Sequence, residues 1–315
     1  MSEFVVSLPS DPGLLEAVQH TLGETPNVRF VEWDLITPAP ADSINIVVPP
    51  YWGGARRLAN LAAVNPQLVQ WQSIGYNGVG DHLPEGLPFA NASSVHEAST
   101  AELALGLTLA SQRGIDAFVR QATTHTWDLR SYPSLADRRV LIVGYGGVSK
   151  AIEARLAGFE VDVTRIARTA RQDTSLTGAS VPVHGMDELK ACLANAEIVI
   201  LAVPLTAETT SLLGADELAA LPDGALIVNV ARGPVVNTDA LMAELNAGRL
   251  RAALDVTDPE PLPADHPLWD CPNLIVTPHA GGDSSAMLPR MSALITRQIT
   301  HLLAGESPEN LVQVG

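Results

Sequence analysis

The 315-residue chain has only two cysteines, Cys192 and Cys271. Two cannot build a disulfide framework or a four-thiolate zinc site. Basic residues are also scarce: 19 Lys and Arg stand against 35 Asp and Glu, a net charge of −16. Nucleic acid and anionic membranes both select a basic surface, so neither is expected as a partner. A small anionic substrate stays open, because one or two local arginines suffice to hold it. Long apolar runs are missing. The longest, Ala196–Leu205, contains Glu197 and Pro204 and is too short to span a bilayer. No charged segment with an apolar core opens the chain, and Met1–Ser10 reads as a short first strand. Asp34, Asp42 and Asp81 have no metal-ligand spacing, so no obligatory metal is expected. The chain shows no solenoid-period repeat and no low-complexity tract. What is left is a soluble, reduced, cytoplasmic protein. Its composition, 46% apolar and 17% charged, suits a folded globule.

At about 100–200 residues per domain, the length predicts two domains. β-Branched runs alternate with alanine- and leucine-rich stretches. Strands are expected at Phe4–Leu8, Asn45–Val48, Leu68–Gln72, Val140–Gly144, Glu160–Ile166, Ile198–Val203, Ala225–Val230, Ala252–Val256 and Leu274–Thr277. Helices are expected at Asp11–Leu22, Ala55–Val64, Ser99–Gln121, Val148–Ala157, Asp187–Asn195, Ala215–Ala220, Thr238–Ala247 and Ser285–Ala304. Strand–helix alternation means parallel sheets covered on both faces, an α/β fold. The pattern restarts after the polar stretch Thr123–Arg139, with about three strands before it and about six after it by the same alternation rule.

Arg139-Val-Leu-Ile-Val-Gly144-Tyr145-Gly146-Gly147-Val148-Ser149 runs from a strand through a glycine turn into a helix, the setting a dinucleotide fingerprint needs. Gly144 permits the tight turn and Gly146 the approach of a pyrophosphate. The helix N-terminus then offers free N–H groups and a positive dipole end. Ser149 replaces the third glycine and is small enough to keep the helix packed on the strand. A ribose-binding acid belongs about 18 residues past that position. Ala167 stands there, followed by Arg168 and Thr169. An arginine without an acid suits a 2′-phosphate, so NADP(H) is favoured and NAD(H) stays possible.

Three later segments place unusual polar residues after strands: Asn229-Val-Ala-Arg232-Gly233-Pro, Asp255-Val-Thr-Asp258-Pro-Glu260-Pro, and Thr277-Pro-His279-Ala-Gly281. Ligands bind at such strand ends in open α/β sheets. An arginine can hold a carboxylate and polarise the adjacent carbonyl. A histidine can deliver a proton to the carbonyl oxygen. A carboxylate behind the histidine orients its ring and favours its charged form. Asp258 is the alternative to Glu260 for that last role.

The chain resembles the D-isomer-specific 2-hydroxyacid dehydrogenase family, especially its short glyoxylate/hydroxypyruvate reductase-like members. The resemblance rests on GYGGVS, on VPLTAETTSLL from Val203 to Leu213, and on NVARGPVVN, DVTDPEPLP and TPHAGG in that order. It implies an NAD(P)-dependent interconversion of a small 2-keto acid and its D-2-hydroxy acid. Arg232, Glu260 and His279 would be catalytic. The backbone of Ile74 and Gly75 in Ser73-Ile-Gly-Tyr76 would hold the substrate carboxylate, with Tyr51 and Trp52 either facing its side chain or serving only to pack. Gly144, Tyr145, Gly146, Gly147, Val148, Arg168, Thr169, Val203, Pro204 and Asp255 would bind the cofactor. The implied architecture is two Rossmann-like doubly wound domains with an interdomain cleft. One is a flavodoxin-like substrate domain over residues 1–102 and 284–315; the other is an NAD(P)-binding domain over 103–283. A homodimer through the cofactor domain is implied too, with Trp127 reaching towards the partner. Glu102 reads as structural or cofactor-adjacent, and His96 and His125 as solvated. Asn77 and Asn237 stand where the family usually has Asp, and Thr257 where it has Phe. Within the same superfamily, a dinucleotide-sensing corepressor or a phosphite or 3-phosphoglycerate dehydrogenase is the alternative.

Overall fold

The computed structural model describes residues 3–11 and 13–314. The chain divides into two compact units, one comprising residues up to His96 together with Ser284 onward, the other Glu97–Asp283.

The first unit contains β1 (Phe4–Leu8), α1 (Leu14–Leu22), β2 (Val28–Glu32), β3 (Ile46–Val47), β4 (Leu68–Gln70) and β5 (Phe89–Ala90). Its sheet is parallel in the order β2-β1-β3-β4-β5, the flavodoxin-like arrangement. Alternate side chains serve opposite faces. Val6, Ile46 and Leu68 pack with Leu14 and Val18 of α1 and with Leu294, Ile295 and Ile299 of the C-terminal helix Met287–Ala304. Val5, Val47 and Val69 pack with Leu58 and Leu61 on the other face. Each fully buried side chain of this size contributes about 1.5–3 kcal/mol. Leu58 and Leu61 lie on Ala55–Ala63, which is 3-10 rather than α-helical. The first helix begins at Leu14, not Asp11, and Pro12 lies outside the described residues. Five strands, not three, form this sheet. β2 is only half-buried and β5 is two residues long, so neither carries a strong apolar period.

The second unit contains α2 (Glu97–Arg113), α3 (Ile115–Thr123), β6 (Arg139–Val143), α4 (Gly147–Leu156), β7 (Asp162–Ile166), β8 (Arg171–Thr174) and β9 (Ser180–Val183). α5 (Leu189–Leu193), β10 (Ile198–Leu201), α6 (Ala215–Ala220), β11 (Leu226–Asn229), α7 (Thr238–Asn246), β12 (Arg251–Leu254) and β13 (Leu274–Val276) follow. Six strands form a parallel sheet, β13-β12-β11-β10-β6-β7. The order reverses between β6 and β10, the switch point where doubly wound sheets bind ligands. Ile142, Ile200 and Val228 pack with Ala104 of α2 and Ile152 of α4. Leu141, Val199 and Ile227 pack with Leu193, Leu218, Leu241 and Leu245 on the opposite face.

Two local features differ from the sequence reading. The long helix Ser99–Gln121 is instead α2 and α3, broken at Gly114. This residue is left-handed (φ +61°), and a Cβ there would lie 2.3 Å from the Tyr132 ring. β8 and β9 form a polar antiparallel hairpin that apolar patterning does not reveal.

Register fixes the functional edge. Val143 pairs with Leu201, Leu201 with Asn229, Asn229 with Leu254, and Leu254 with Val276. Their successors therefore leave one edge of the sheet side by side.

Candidate active site

Gly144 follows β6 directly. Its φ is +89°, and a Cβ would lie 2.7 Å from the Ala202 carbonyl oxygen and 2.8 Å from Val203 Cγ1. Only glycine fits this approach between the β6 and β10 ends. Beside Gly146 the Cβ position is open, with nothing within 4 Å. Gly146 is the N-cap of α4 and supplies no side-chain cap, and Val148 lies in that helix's first turn. An uncapped ten-residue helix with open space at its start fits a dinucleotide pyrophosphate. Ser149 is fully buried and its hydroxyl donates to the Gly144 carbonyl at 2.5 Å. The serine thus closes the turn that it was expected only to tolerate.

Tyr145 is buried against Ala167, Val181 and Val183. Its hydroxyl donates to Glu153, which also binds Arg165. Burial, then the bond to Glu153, pushes the phenol up to about 12. A second network covers the turn from outside. Arg171 donates to the Tyr145 carbonyl at 3.1 Å and to Asp173 Oδ2 at 2.8 Å, while Lys150 binds Asp173 Oδ1 at 2.8 Å. The lysine first, then the Thr174 amide and Arg171, pull the Asp173 carboxyl down to about 2. Patterning missed both networks because their members come from α4, β7 and the polar hairpin.

Ala167 is buried, whereas Arg168 and Thr169 are exposed beyond β7. Arg168 helps, after the Thr206 hydroxyl and the Glu208 backbone, to lower the Glu208 carboxyl. Val203 is buried and Pro204 exposed at the β10 end. Thr209 pins this turn by donating to the Pro204 carbonyl at 2.7 Å and accepting from the Thr206 amide at 2.7 Å.

Arg232 follows β11 in extended conformation (φ −149°). Asn229, 1% exposed, organises its turn. It accepts from the Ala231 amide and donates to the Arg232 carbonyl, both at 3.0 Å. The sequence signal for Asn229 was an asparagine closing an otherwise apolar strand. Gly233 brings this turn hard against the next: a Cβ would lie 1.9 Å from the Thr257 carbonyl oxygen. Thr257 opens the segment that carries Glu260, in which Asp258–Pro259 and Glu260–Pro261 are cis.

Glu260 Oε1 lies 2.5 Å from His279 Nδ1, and both side chains are about one-third exposed (37% and 33%). Facing a carboxylate, Nδ1 is the ring nitrogen that donates, with Nε2 on the other side of the ring. Nε2 binds no other described residue. His279 is left-handed (φ +55°). Asp255, 2% exposed, holds its loop. Oδ1 accepts from Thr277 Oγ1 at 2.6 Å and from the Ala280 amide at 2.8 Å, and Oδ2 from the Gly281 amide at 2.9 Å. The Asp255 carbonyl accepts from the His279 amide at 2.8 Å. The Asp258 carbonyl binds Thr238 Oγ1 at 3.0 Å, and it is Glu260 that reaches the imidazole.

The remaining candidates lie in the first unit or away from these turns. Ile74 and Gly75 are half-buried in a loop after β4. Tyr51 and Trp52 stack edge-on with ring centroids 5.0 Å apart, Trp52 being 67% exposed. His96 is not solvated: it is 4% exposed and its Nε2 lies 2.7 Å from the Gln72 carbonyl. His125 is exposed. Glu102 forms a structural pair with Arg155 of α4 at 3.2 Å. Trp127 is 99% exposed. Among the described residues no cluster of His, Cys, Asp and Glu is arranged to hold a metal ion. No described helix is long and apolar enough to cross a membrane.

Comparisons with known proteins agree with this geometry. The family model described as D-isomer specific 2-hydroxyacid dehydrogenase, NAD binding domain, matches residues 105–281. A glyoxylate reductase of Thermofilum pendens is 32% identical over 262 residues, covering 80% of this chain and 76% of its own. The human glyoxylate reductase/hydroxypyruvate reductase is 29% identical over 90% of this chain and 91% of its own. The crystal structure of a D-isomer specific 2-hydroxyacid dehydrogenase from Xanthobacter autotrophicus Py2, in complex with NADPH and MES, superposes with a TM-score of 0.81 at 30% identity. The match covers 100% of this chain and 99% of that one. Carrying an open glycine turn at the switch point, and a paired Glu260 and His279 with Arg232 along the same sheet edge, the chain belongs to the D-isomer specific 2-hydroxyacid dehydrogenase family.

Proposed function

We propose that this enzyme reduces small 2-keto acids to D-2-hydroxy acids and prefers NADPH. The Glu260–His279 pair carries the reading: one imidazole nitrogen is held by a carboxylate and the other is left for proton delivery. Glu97–Asp283 then serves as the dinucleotide domain and the remainder as the substrate domain. The α4 N-terminus and the Gly144–Val148 turn take the pyrophosphate, and the Val203–Pro204 turn flanks it. A bound reduced nicotinamide supplies the hydride to the carbonyl carbon. Arg232 holds the substrate carboxylate and polarises its carbonyl. His279 Nε2 gives its proton to the carbonyl oxygen, and Glu260 stabilises the charge on the ring until then. The amides of Ile74 and Gly75 bind the carboxylate, and Tyr51 and Trp52 select the substrate side chain. Asp255 fixes the His279 loop. Its carboxylate has about four lone-pair sites. Three are used within the chain, and the fourth suits a cofactor amide.

The preference for NADPH rests on Arg168 and Thr169, exposed beyond a strand that ends without an acid. Absorbance decay of NADPH and of NADH is to be followed against glyoxylate, hydroxypyruvate, pyruvate, phenylpyruvate and a branched keto acid. Turnover on at least one, faster with NADPH, is the expected result. Arg168→Ala should cut the NADPH/NADH ratio of kcat/KM about ten- to a hundredfold, as loss of a charged hydrogen bond implies. An unchanged ratio removes Arg168 from cofactor choice. Dinucleotide binding with no turnover on any of the five favours a sensing role.

We further propose a homodimer, in the cytoplasm, where two free thiols stay reduced. The second copy covers α3, which buries none of its residues and presents Ile115, Phe118 and Val119 beside Trp127 and Leu129. Exposed apolar patches of this kind are characteristic of interfaces. Sedimentation should give twice the 33.2 kDa chain mass. A Val119→Glu/Leu129→Glu variant should sediment as a monomer, and a wild-type monomer overturns the dimer.

A further inference from the structure

Three successive carbonyls in the Ser73–Tyr76 loop are pinned from the body of the first unit. The Ser73 carbonyl accepts from the Ala92 amide at 3.0 Å. The Ile74 carbonyl accepts from Asn91 Nδ2 at 3.0 Å, and the Gly75 carbonyl from Trp71 Nε1 at 3.0 Å. In a trans peptide the N–H points opposite to the C=O. Pinning these carbonyls therefore aims the next N–H in each case, those of Ile74, Gly75 and Tyr76, away from their anchors. None of the three amides donates to an acceptor among the described residues.

The anchors are themselves rigid. Asn91 is 6% and Trp71 8% exposed. Asn91 Oδ1 accepts from the Ser93 amide at 3.2 Å and from Ser93 Oγ at 2.9 Å, which fixes Nδ2 as the group facing Ile74. The Asn91 amide is tied to the Asn310 carbonyl at 3.2 Å, and its carbonyl accepts from Gln70 Nε2 at 3.1 Å. The Trp71 ring packs against Phe89, with centroids 6.0 Å apart. A side chain with its own partners fixed cannot follow a loop that moves, so it holds the loop in one orientation.

We propose that Asn91 and Trp71 are positioning residues that hold this loop as a three-amide carboxylate cradle, with Tyr76 N–H as a donor beyond Ile74 and Gly75. The proposal rests on the reading of this loop as the substrate-carboxylate site. Uncharged amides aimed in advance add to the hold of a single arginine on an anionic group, which suits a chain with few basic residues. Asn91 acts on the Gly75 amide and Trp71 on the Tyr76 amide, so the two contributions are separable.

The test is titration of the protein, saturated with NADP+, with oxamate, followed by backbone amide resonances. In wild type, the Ile74, Gly75 and Tyr76 signals should shift along one saturable curve. Asn91→Asp keeps the acceptor for Ser93 but offers no donor to Ile74. Trp71→Phe keeps an aromatic ring in the core but removes the indole N–H, along with part of the ring volume. Each should weaken oxamate about tenfold or more, with Tyr76 losing most of its shift in Trp71→Phe. Measured well below each variant's thermal midpoint, the KM for a keto acid should rise by a similar factor with kcat nearly unchanged. That split marks lost uniform binding rather than lost folding. Wild-type affinity for oxamate in both variants overturns the positioning role while the loop reading stands. Silent Ile74, Gly75 and Tyr76 amides in the wild type overturn the loop reading and the proposal together.

Discussion

Arg232→Ala is expected to lower kcat/KM for a 2-keto acid about a thousandfold, while dinucleotide affinity stays within a factor of about two. The loss corresponds to about 4 kcal/mol of transition-state stabilisation. The split follows from where Arg232 stands: after β11, organised by Asn229 and packed through Gly233 onto the Thr257 segment. The glycine turn after β6 is a separate structure and keeps its shape without the arginine. Arg232→Lys should recover only part of the rate, because an ammonium restores charge without the planar fork. Single-turnover kinetics with dinucleotide binding measured by fluorescence separates the two effects. Near-wild-type turnover in Arg232→Ala removes it from the chemistry.

His279→Ala is expected to lower the rate of reduction by about a hundred- to ten-thousandfold, the range for loss of a positioned acid/base. In the proposed mechanism reduction draws its proton from His279 and oxidation returns one there, so the variant should lose the pH-dependent proton-transfer step in both directions. Glu260→Gln tests the partner: it keeps the shape, removes the charge behind Nδ1 and should lower the rate in both directions. A pH profile in His279→Ala that overlays the wild type eliminates the assignment.

Much of this site was legible in the sequence because it hangs on strand ends. Apolar runs such as Leu226–Val228 announce buried strands; Asn229 closes one, and Arg232, Asp255 and His279 follow within three residues of theirs. The parallel register then places them along one edge without long-range information. The rest depended on packing between distant segments. Trp71 falls inside the expected strand Leu68–Gln72 and Asn91 in no expected element, so neither stands out until the loop they clamp is placed between them. His96 looked solvated because its neighbours in sequence are polar, whereas the Gln72 carbonyl takes its ring nitrogen. β5 pairs with β4 only through Val69 with Phe89 and Gln70 with Ala90, too short a run for any periodicity to show. Gly114 breaks the long helix because the Tyr132 ring occupies the space of a side chain there, a contact eighteen residues away.

The division of labour along the β6–β13 sheet bears on how this scaffold can be redesigned. In the proposed reading cofactor choice lies in the few exposed residues after β7, at one end of the sheet. Proton delivery then falls after β12 and β13, at the other, where Asp255 grips the histidine loop mainly through main-chain amides. A main-chain grip is indifferent to the side chain at Ala280 but not to one at Gly281, whose Cβ would lie 2.9 Å from Asp255 Oδ2. The Arg168–Thr169 loop can therefore be exchanged to recruit a different dinucleotide with the acid/base machinery left as it is, and position 280 offers a second place to graft new contacts.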